Sequence, residues 1–369
     1  MANDMTVGSG TSPDQRETEP ARPVATSSAG AGQLVLAFTL TTFLSAALLF
    51  SIQPLFAKMV LPVLGGSPSV WAVAMCFFQA ALLAGYCYAH LLNRHLGIAR
   101  AGLVHLGLFA LALLALPIGL PEGWREPPVG EPYLWQLGLF AVAVGLPFVT
   151  VAANAPLLQA WFAASGHAAA RDPYFLYAAS NLGSLIALIG YPLALEPLLG
   201  ASAVSGMWTG AFLALAAAIG LCWLLVRGRA PGFAEPPLET DTLPAAPPSS
   251  GDRWRWVGLA TVPSALLTAF TTHVATDVAS APLIWVIPLA IYLLTFVLVF
   301  RERSLIPTRV LLLLHLAAVV IALLQLSQTR HDGWFVGSAT GIAVFFTSAM
   351  VAHRTLYESR PAARHLTEF

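Results

Sequence analysis

The stretch LVLAFTLTTFLSAALLFSI, residues 34–52, decides the fold class, because it contains no Asp, Glu, Lys or Arg. The hydrocarbon core of a bilayer is about 30 Å thick, and roughly 20 apolar residues in a helix cross it. Only helices and closed barrels satisfy their backbone hydrogen bonds in lipid, and barrel strands alternate polar and apolar residues. A run of this length without alternation therefore predicts a transmembrane helix.

Nine further runs share these properties, and the one Asp, Glu, Lys or Arg within the ten is Arg309, near the start of the ninth. The chain is 57% hydrophobic and 10% charged, whereas soluble proteins are about 25% charged. We therefore predict an all-α integral membrane protein, a polytopic bundle of about ten transmembrane helices. The predicted spans are Leu34–Ile52, Val70–Leu92, Gly102–Leu120, Tyr133–Phe162, Tyr174–Leu195, Val204–Val226, Trp256–Thr272, Pro282–Phe300, Leu305–Leu326 and Trp334–Ala352.

The basic residues predict the orientation of these spans, since cytoplasmic loops are enriched in Lys and Arg. Both tails and the even-numbered loops together hold fifteen cations, and the odd-numbered loops hold only Lys58, Arg125 and Arg330. We therefore expect both termini on the cytoplasmic side of the membrane. The net charge of zero argues against a nucleic-acid partner, because such proteins usually carry a concentrated basic patch.

The connections divide the chain into unequal parts. The segment 1–32 reads as a disordered cytoplasmic tail, and 33–227 as a first half of six helices. The segment 228–253 contains six prolines and is typical of a flexible linker. A second part with four helices, 254–353, and a cytoplasmic tail, 354–369, complete the prediction.

The second part weakly repeats the first. The sequence SAAL at Ser45–Leu48 corresponds to SALL at Ser264–Leu267, and the loop after the fourth helix, AAARDPYF, resembles the C-tail, PAARHLTEF. An offset of six helices would make the repeat parallel, as in the two halves of major-facilitator transporters; chance similarity between Ala- and Leu-rich segments is the alternative. Under the repeat, the sequence stops two helices short of a symmetric twelve, so we expect a truncated product or a fragment.

Several stretches resemble bacterial membrane proteins described as fused major-facilitator/spermidine-synthase-like. The likeness covers roughly residue 34 to the end, and it is carried by QPLFAKMVLP (53–62) with GGSPSVW (65–71), FFQAALLAGY (77–86), RDPYFLYAASNLGS (171–184), TDVASAPLIW (276–285) and RHLTEF (364–369). The resemblance implies a major-facilitator-like helical region joined to a cytoplasmic domain similar to aminopropyltransferases, which make polyamines from decarboxylated S-adenosylmethionine.

No residue of that synthase chemistry is expected here. A nucleotide fold of the adenosylmethionine type needs a strand that leads into a glycine-rich turn, and no such segment is present in the sequence. We therefore predict no catalytic residue, cofactor site or metal site in this chain.

Charged and histidine residues near the outer ends of helices one and seven are the first candidates for a functional site. Lys58 and Asp277 could pair across the two halves, since ion pairs near membrane depth are commonly functional; two solvated loop charges are the alternative. His273 and Asp277, four residues apart, would share a helix face. A proton relay or metal pair is conceivable there, although a third ligand is not apparent.

Amides and one arginine are the remaining candidates. Asn154, Gln159 and Asn181 place amides in helices four and five, where they could line a polar cavity or simply bond neighbouring helices. Pro147 in the overlong fourth helix, like Pro156, predicts a kink. Arg94 lies in NRHLGIAR (93–100), which weakly resembles the gating loop of major-facilitator proteins, although an ordinary charge cluster explains it equally. His105 and His315 are interpreted as satisfied core residues.

Three functions are compatible with these observations. The first is the non-catalytic membrane region of a spermidine-synthase-like fusion protein, which anchors or serves a cytoplasmic domain and handles its polyamine. The alternative is a stand-alone major-facilitator-like transporter of a small solute, and a pure anchor is the plainest possibility. The lipid bilayer is the partner common to all three.

Overall fold

The computed structural model describes residues 28–128, 130, 132–171, 175–228, 248–274, 286–299, 305–326 and 334–360. Within these ranges the regular structure is entirely helical. The α-helices are α1 (Ser28–Leu64), α2 (Pro68–His95), α3 (Ile98–Ala112), α4 (Pro132–Phe140), α5 (Leu146–Ala152), α6 (Asn154–Ala163), α7 (Phe175–Gly190), α8 (Glu196–Leu198), α9 (Ala201–Val226), α10 (Ser250–His273), α11 (Val286–Val299), α12 (Thr308–Leu326) and α13 (Trp334–Glu358).

Eight helical segments of the described chain are long and apolar enough to cross a membrane. They correspond to the first six and the last two predicted spans, which confirms an all-α, multi-pass membrane bundle. The other two predicted spans are also helical. The seventh, α10, is long enough but carries several Ser and Thr residues, and the described part of the eighth, α11, is 14 residues long.

The helix bounds differ from the prediction mainly where prolines and polar residues had indicated a break. Helix α1 begins at Ser28 and continues through Pro54 and Pro62 to Leu64, so Gln53 and Lys58 lie inside the helix and not at its end. Hydropathy alone marks where a run leaves the hydrocarbon, whereas the backbone hydrogen bonds continue as long as the chain is helical. For the same reason α10 begins within the predicted linker, and α13 extends into the predicted C-tail.

The α-helix of the fourth span is interrupted near both prolines, where a kink or break is predicted. A π-helical turn, Ala141–Gly145, separates α4 from α5 just before Pro147, and the helix is interrupted at Ala153 before Pro156. Proline has no N–H to bond the carbonyl four residues earlier, so the chain widens or breaks at that point. A second π-helical turn, Tyr191–Leu195, surrounds Pro192 in the fifth span.

The first half is held together by close helix contacts at small residues. A Cβ added to Gly183 would overlap the backbone carbonyl oxygen of Phe43, so α7 packs directly onto the backbone of α1. A Cβ at Gly85 would lie 2.7 Å from the Cβ of Ala152, which fixes α2 against α5. Lipid gives helices little hydrophobic reason to associate, so close packing of this kind is a main source of stability in a membrane bundle.

The second half packs around α13, which contacts α10, α11 and α12. Phe270 of α10 stacks on Phe345 of α13 with ring centroids 5.5 Å apart. The two halves meet where α11 packs against α7. Leu188 of α7 contacts apolar side chains of α11 there. Tyr177, three turns earlier on the same face of α7, packs in a cluster with Phe296 of α11.

The ends of the helices meet as the predicted alternation requires. The indole Nε1 of Trp256, near the start of α10, donates to the carbonyl oxygen of Ser359, just beyond α13, at 3.1 Å. At the opposite end of the bundle, the Nε2 of Gln136 in α4 donates to the carbonyl oxygen of Val70 in α2 at 2.8 Å. Each contact joins two helix ends that the charge distribution places on one side of the bilayer.

Candidate functional site

A buried polar network joins three helices inside the first half. His105 of α3 contacts Asn154 of α6 with 2.7 Å between Nε2 and Oδ1, and the Nδ2 of Asn154 donates to the hydroxyl of Ser45 in α1 at 3.0 Å. That hydroxyl donates in turn to the carbonyl oxygen of Val151 at 3.3 Å. All three side chains are buried, so the network lies among apolar residues within a membrane bundle.

The network fixes the tautomer of His105. Because the amide nitrogen of Asn154 is engaged with Ser45, its Oδ1 faces the ring and must accept, so the Nε2 of His105 carries the proton. The opposite ring nitrogen, Nδ1, is then a lone pair, and it is buried without a hydrogen-bond partner among the described residues. The prediction of a satisfied core histidine is therefore correct for one ring nitrogen and wrong for the other.

The second half contains a corresponding pair. The Nδ1 of His315 in α12 lies 3.2 Å from the hydroxyl of Thr347 in α13, which itself donates to a carbonyl of its own helix. In the sequence, Asn154 and Thr347 each precede the arginine of the repeated AAR motif by 17 residues. The third and fourth spans of both halves are thus bridged by a histidine and a polar residue, and the polar residue keeps its spacing to the motif, as the internal repeat predicts.

A second buried histidine lies in the second half near the contact between the halves, whereas His315, predicted as a core residue, is only half-buried. His353 of α13 is 1% exposed, and its Nδ1 lies 2.8 Å from the hydroxyl of Thr295 in α11. The Thr295 hydroxyl donates to the carbonyl oxygen of Tyr292 at 2.6 Å, so it accepts from Nδ1–H and leaves the Nε2 of His353 as a bare lone pair. That atom has no partner in the described part of the chain.

Aromatic rings surround the His353 imidazole. The ring of Phe296 lies with its centroid 3.8 Å away, and the ring of Tyr292 stands edge-on at 5.0 Å. The Tyr292 hydroxyl lies 3.4 Å from the hydroxyl of Ser264 in α10. Aromatic faces attract cations, so this region combines an unused nitrogen acceptor with surfaces that suit positive charge.

Lys58 pairs differently from the predicted cross-half ion pair. Its Nζ lies 3.0 Å from the carboxylate of Glu196, and the two side chains are 34% and 29% exposed. The pair ties the C-terminal part of α1 to α8 within the first half. Asp277 lies outside the described residues, so its pairing with Lys58 and its relation to His273 stay predictions. The His273 ring lies 6.4 Å from that of Phe270, between centroids.

The other candidates are separated in the fold. Gln159 is buried in α6. Asn181 lies on the face of α7 that carries Tyr177 and Leu188 towards the second half, and its Nδ2 is buried with no partner among the residues described. Arg94 belongs to the last turn of α2, where it is exposed at the membrane-end surface. The structure therefore brings Asn154 into a network and leaves Gln159, Asn181 and Arg94 apart from it.

Sequence reasoning missed three participants for one common reason. Ser45, Glu196 and Thr295 have no unusual sequence context, and only their partners on distant helices give them a role. His353, the last residue of the predicted four-helix part 254–353, lies one residue beyond the predicted tenth span and is not among the predicted site residues. A histidine at the end of an apolar run was the single signal that could have indicated it.

No group of three or more His, Cys, Asp or Glu side chains in the described ranges is arranged to hold a metal ion. Cys222, the buried cysteine, lies 3.4 Å from the Thr41 hydroxyl, whereas Cys76 and Cys87 are exposed on the outer surface of α2.

In the comparisons with known proteins, no protein family and no curated protein matches the chain.

Proposed function

We propose that this chain is the non-catalytic membrane region of a spermidine-synthase-like protein, embedded in the bacterial inner membrane with both termini in the cytoplasm. In this proposal the bundle anchors a cytoplasmic aminopropyltransferase-like domain and serves it at the membrane surface. The bilayer is its first partner, and a polyamine is the solute it would meet.

The observation that carries the proposal is the place of the resemblance motifs in the bundle. Gly85 ends the stretch FFQAALLAG and meets Ala152, and Gly183 belongs to ASNLGS and meets the backbone of Phe43. Both glycines lie where two helices approach too closely for a Cβ, so these residues of the resemblance motifs pack helices together. A packing role for the motif glycines favours a scaffold.

Aminopropyl transfer in native membranes tests this proposal. Membranes from cells with the intact coding region are compared with membranes from cells in which the codons of α1–α13 are deleted in frame. Transfer of the aminopropyl group to putrescine should occur in the first membrane fraction and move to the soluble fraction, or disappear, in the second. Equal membrane-bound activity in both strains would contradict the anchoring role, as would its absence from both.

A second candidate function, transport of a small solute, is favoured by the buried nitrogen of His353. A lone pair enclosed in a membrane bundle is costly unless a donor reaches it, and a protonated amine supplies N–H donors together with a charge that suits the nearby aromatic rings. A pure anchor has no need for such a buried nitrogen.

Uptake by proteoliposomes tests the transport candidate. We expect uptake of labelled putrescine by the reconstituted protein and its loss in His353→Phe, which keeps the ring volume and removes both nitrogens. His95→Phe, at an exposed position in the last turn of α2, is the matched control. Absence of uptake by the unaltered protein, or equal uptake by both variants, would reject this candidate.

A further inference from the structure

The last turn of α2, the first turn of α3 and the last turn of α9 meet at one corner of the bundle. A Cβ at Gly102 would overlap the indole ring of Trp223, so the start of α3 packs directly onto the end of α9. Only Leu96 and Gly97 separate α2 from α3, so α2 ends beside the same contact. The end of α2 and the end of α9 therefore each lie beside the start of α3.

Three arginines project from this corner. Arg94, Arg100 and Arg227 are exposed, and the guanidinium of Arg227 lies 4.9 Å from the centroid of the Trp223 ring. None of the three forms an ion pair with another residue of the described ranges. Helices α2, α3 and α9 contain no Asp or Glu, so the positive charge of the corner has no carboxylate on its own elements to balance it.

Backbone N–H donors at the start of α3 lie beside these arginines. Helix α3 begins after Gly97, which has no side chain to cap it, and its first turn contains no acidic residue. The N–H groups of a helix start favour an anion. The carbonyl ends of α2 and α9 lie at the same corner and favour cations, so the arginines supply the main attraction for an anion.

Apolar side chains continue from the corner along the outside of the bundle. Leu91 of α2, Leu103 of α3 and Leu224 of α9 are each at least half exposed. In a membrane protein such residues face acyl chains. An occupant that combines an anionic phosphate with two hydrocarbon tails would satisfy both the arginines and these leucines.

We propose that this corner is a binding site for an anionic phospholipid, with the phosphate held by Arg94, Arg100 and Arg227 at the start of α3. Basic pockets between transmembrane helices on the cytoplasmic side bind such headgroups, and a planar guanidinium can hold two phosphate oxygens at once. The site is independent of the proposed function, because it lies on the lipid-facing outside of the first half.

Lipid binding by the purified protein in nanodiscs tests the site. Phosphatidylglycerol in a phosphatidylcholine background should raise the thermal unfolding temperature and remain bound in native mass spectrometry. The double variant Arg100→Gln, Arg227→Gln should bind phosphatidylglycerol roughly 30-fold more weakly, which corresponds to about 1 kcal/mol per arginine. Arg125→Gln, exposed in the connection between α3 and α4, should bind it as the unaltered protein does.

Two further measurements distinguish the sources of the phosphate and guard against misfolding. Inorganic phosphate alone should leave the unfolding temperature unchanged, and equal stabilisation by it would replace the lipid with a free anion and overturn the proposal. The double variant should elute as the unaltered protein does in size-exclusion chromatography, because both side chains are exposed. A double variant that folds and keeps full affinity for phosphatidylglycerol would also overturn the proposal.

Discussion

Replacing Gly183 by alanine should weaken the contact between α1 and α7. The added Cβ would overlap the carbonyl oxygen of Phe43 and lie 3.1 Å from its carbonyl carbon and 3.3 Å from its Cα. Carbon atoms in contact prefer about 3.5–4.0 Å, and the obstacle is backbone, so the two helices must separate by several tenths of an ångström. Overpacking of this kind costs about 1–3 kcal/mol of unfolding free energy.

Gly190→Ala is the matched control, because Gly190 lies at the end of the same helix and a Cβ there would have nothing within 4 Å. Alanine favours a helix over glycine by about 1 kcal/mol at both positions, so this gain cancels in the comparison. Gly183→Ala should therefore be about 1–3 kcal/mol less stable than Gly190→Ala. Reversible unfolding in mixed detergent and SDS micelles, followed by tryptophan fluorescence, measures the difference. Equal stability of the two variants would refute the close approach of α1 and α7.

Three further predictions concern the polar contacts. Asn154→Ala should lower the free energy of unfolding by about 1–3 kcal/mol, since it leaves the Nε2–H of His105 buried and unpaired. In the same unfolding assay, the double variant Asn154→Ala, His105→Phe should lose less stability than the losses of the two single variants added together. Losses that add strictly would exclude the network. Lys58→Ala should lower the free energy of unfolding by less than about 1 kcal/mol, because the pair with Glu196 is partly exposed. In 1 M salt, the variant and the unaltered protein should be equally stable. The hydroxyl of Ser249 and its backbone N–H bond the Asp252 carboxylate and lower the pKa of Asp252. The ionised Asp252 carboxylate therefore contributes its full stability above the pKa of the unfolded chain, and this contribution is lost as the pH falls through the lower pKa of the folded protein. Ser249→Ala should raise the pKa of Asp252 in a ¹³C NMR titration. An unchanged pKa would reject the capping contact.

The orientation prediction has its own measurement. Fifteen of the eighteen cations lie in segments predicted to be cytoplasmic, so both termini should be in the cytoplasm. A fluorescent protein fused to the C-terminus should therefore fluoresce, and alkaline phosphatase fused to the N-terminus should stay inactive. Active phosphatase at the N-terminus would reverse the predicted topology of the bundle.

The sequence predicted the approximate place of the eight long apolar helices of the described residues well, because the cost of burying charge in lipid leaves a signal in each span. Even the kinks of the fourth span were predicted from Pro147 and Pro156, since proline removes a specific backbone bond. Helix ends were less accurate. The end of α1 was placed at Ile52 although the helix continues to Leu64, because polar and proline residues after a span are tolerated once the helix has left the hydrocarbon.

The contacts of the site residues depend on the tertiary structure more than the positions of the helices do. The sequence by itself determined that lipid is the solvent of this chain and that Asn154 is a polar group within it. Only the tertiary structure decided that Asn154 joins Ser45 and His105 and that Lys58 pairs with Glu196. The physical reason is that hydropathy is a property of each residue in order, whereas a hydrogen bond between helices depends on how two distant helices are rotated against each other.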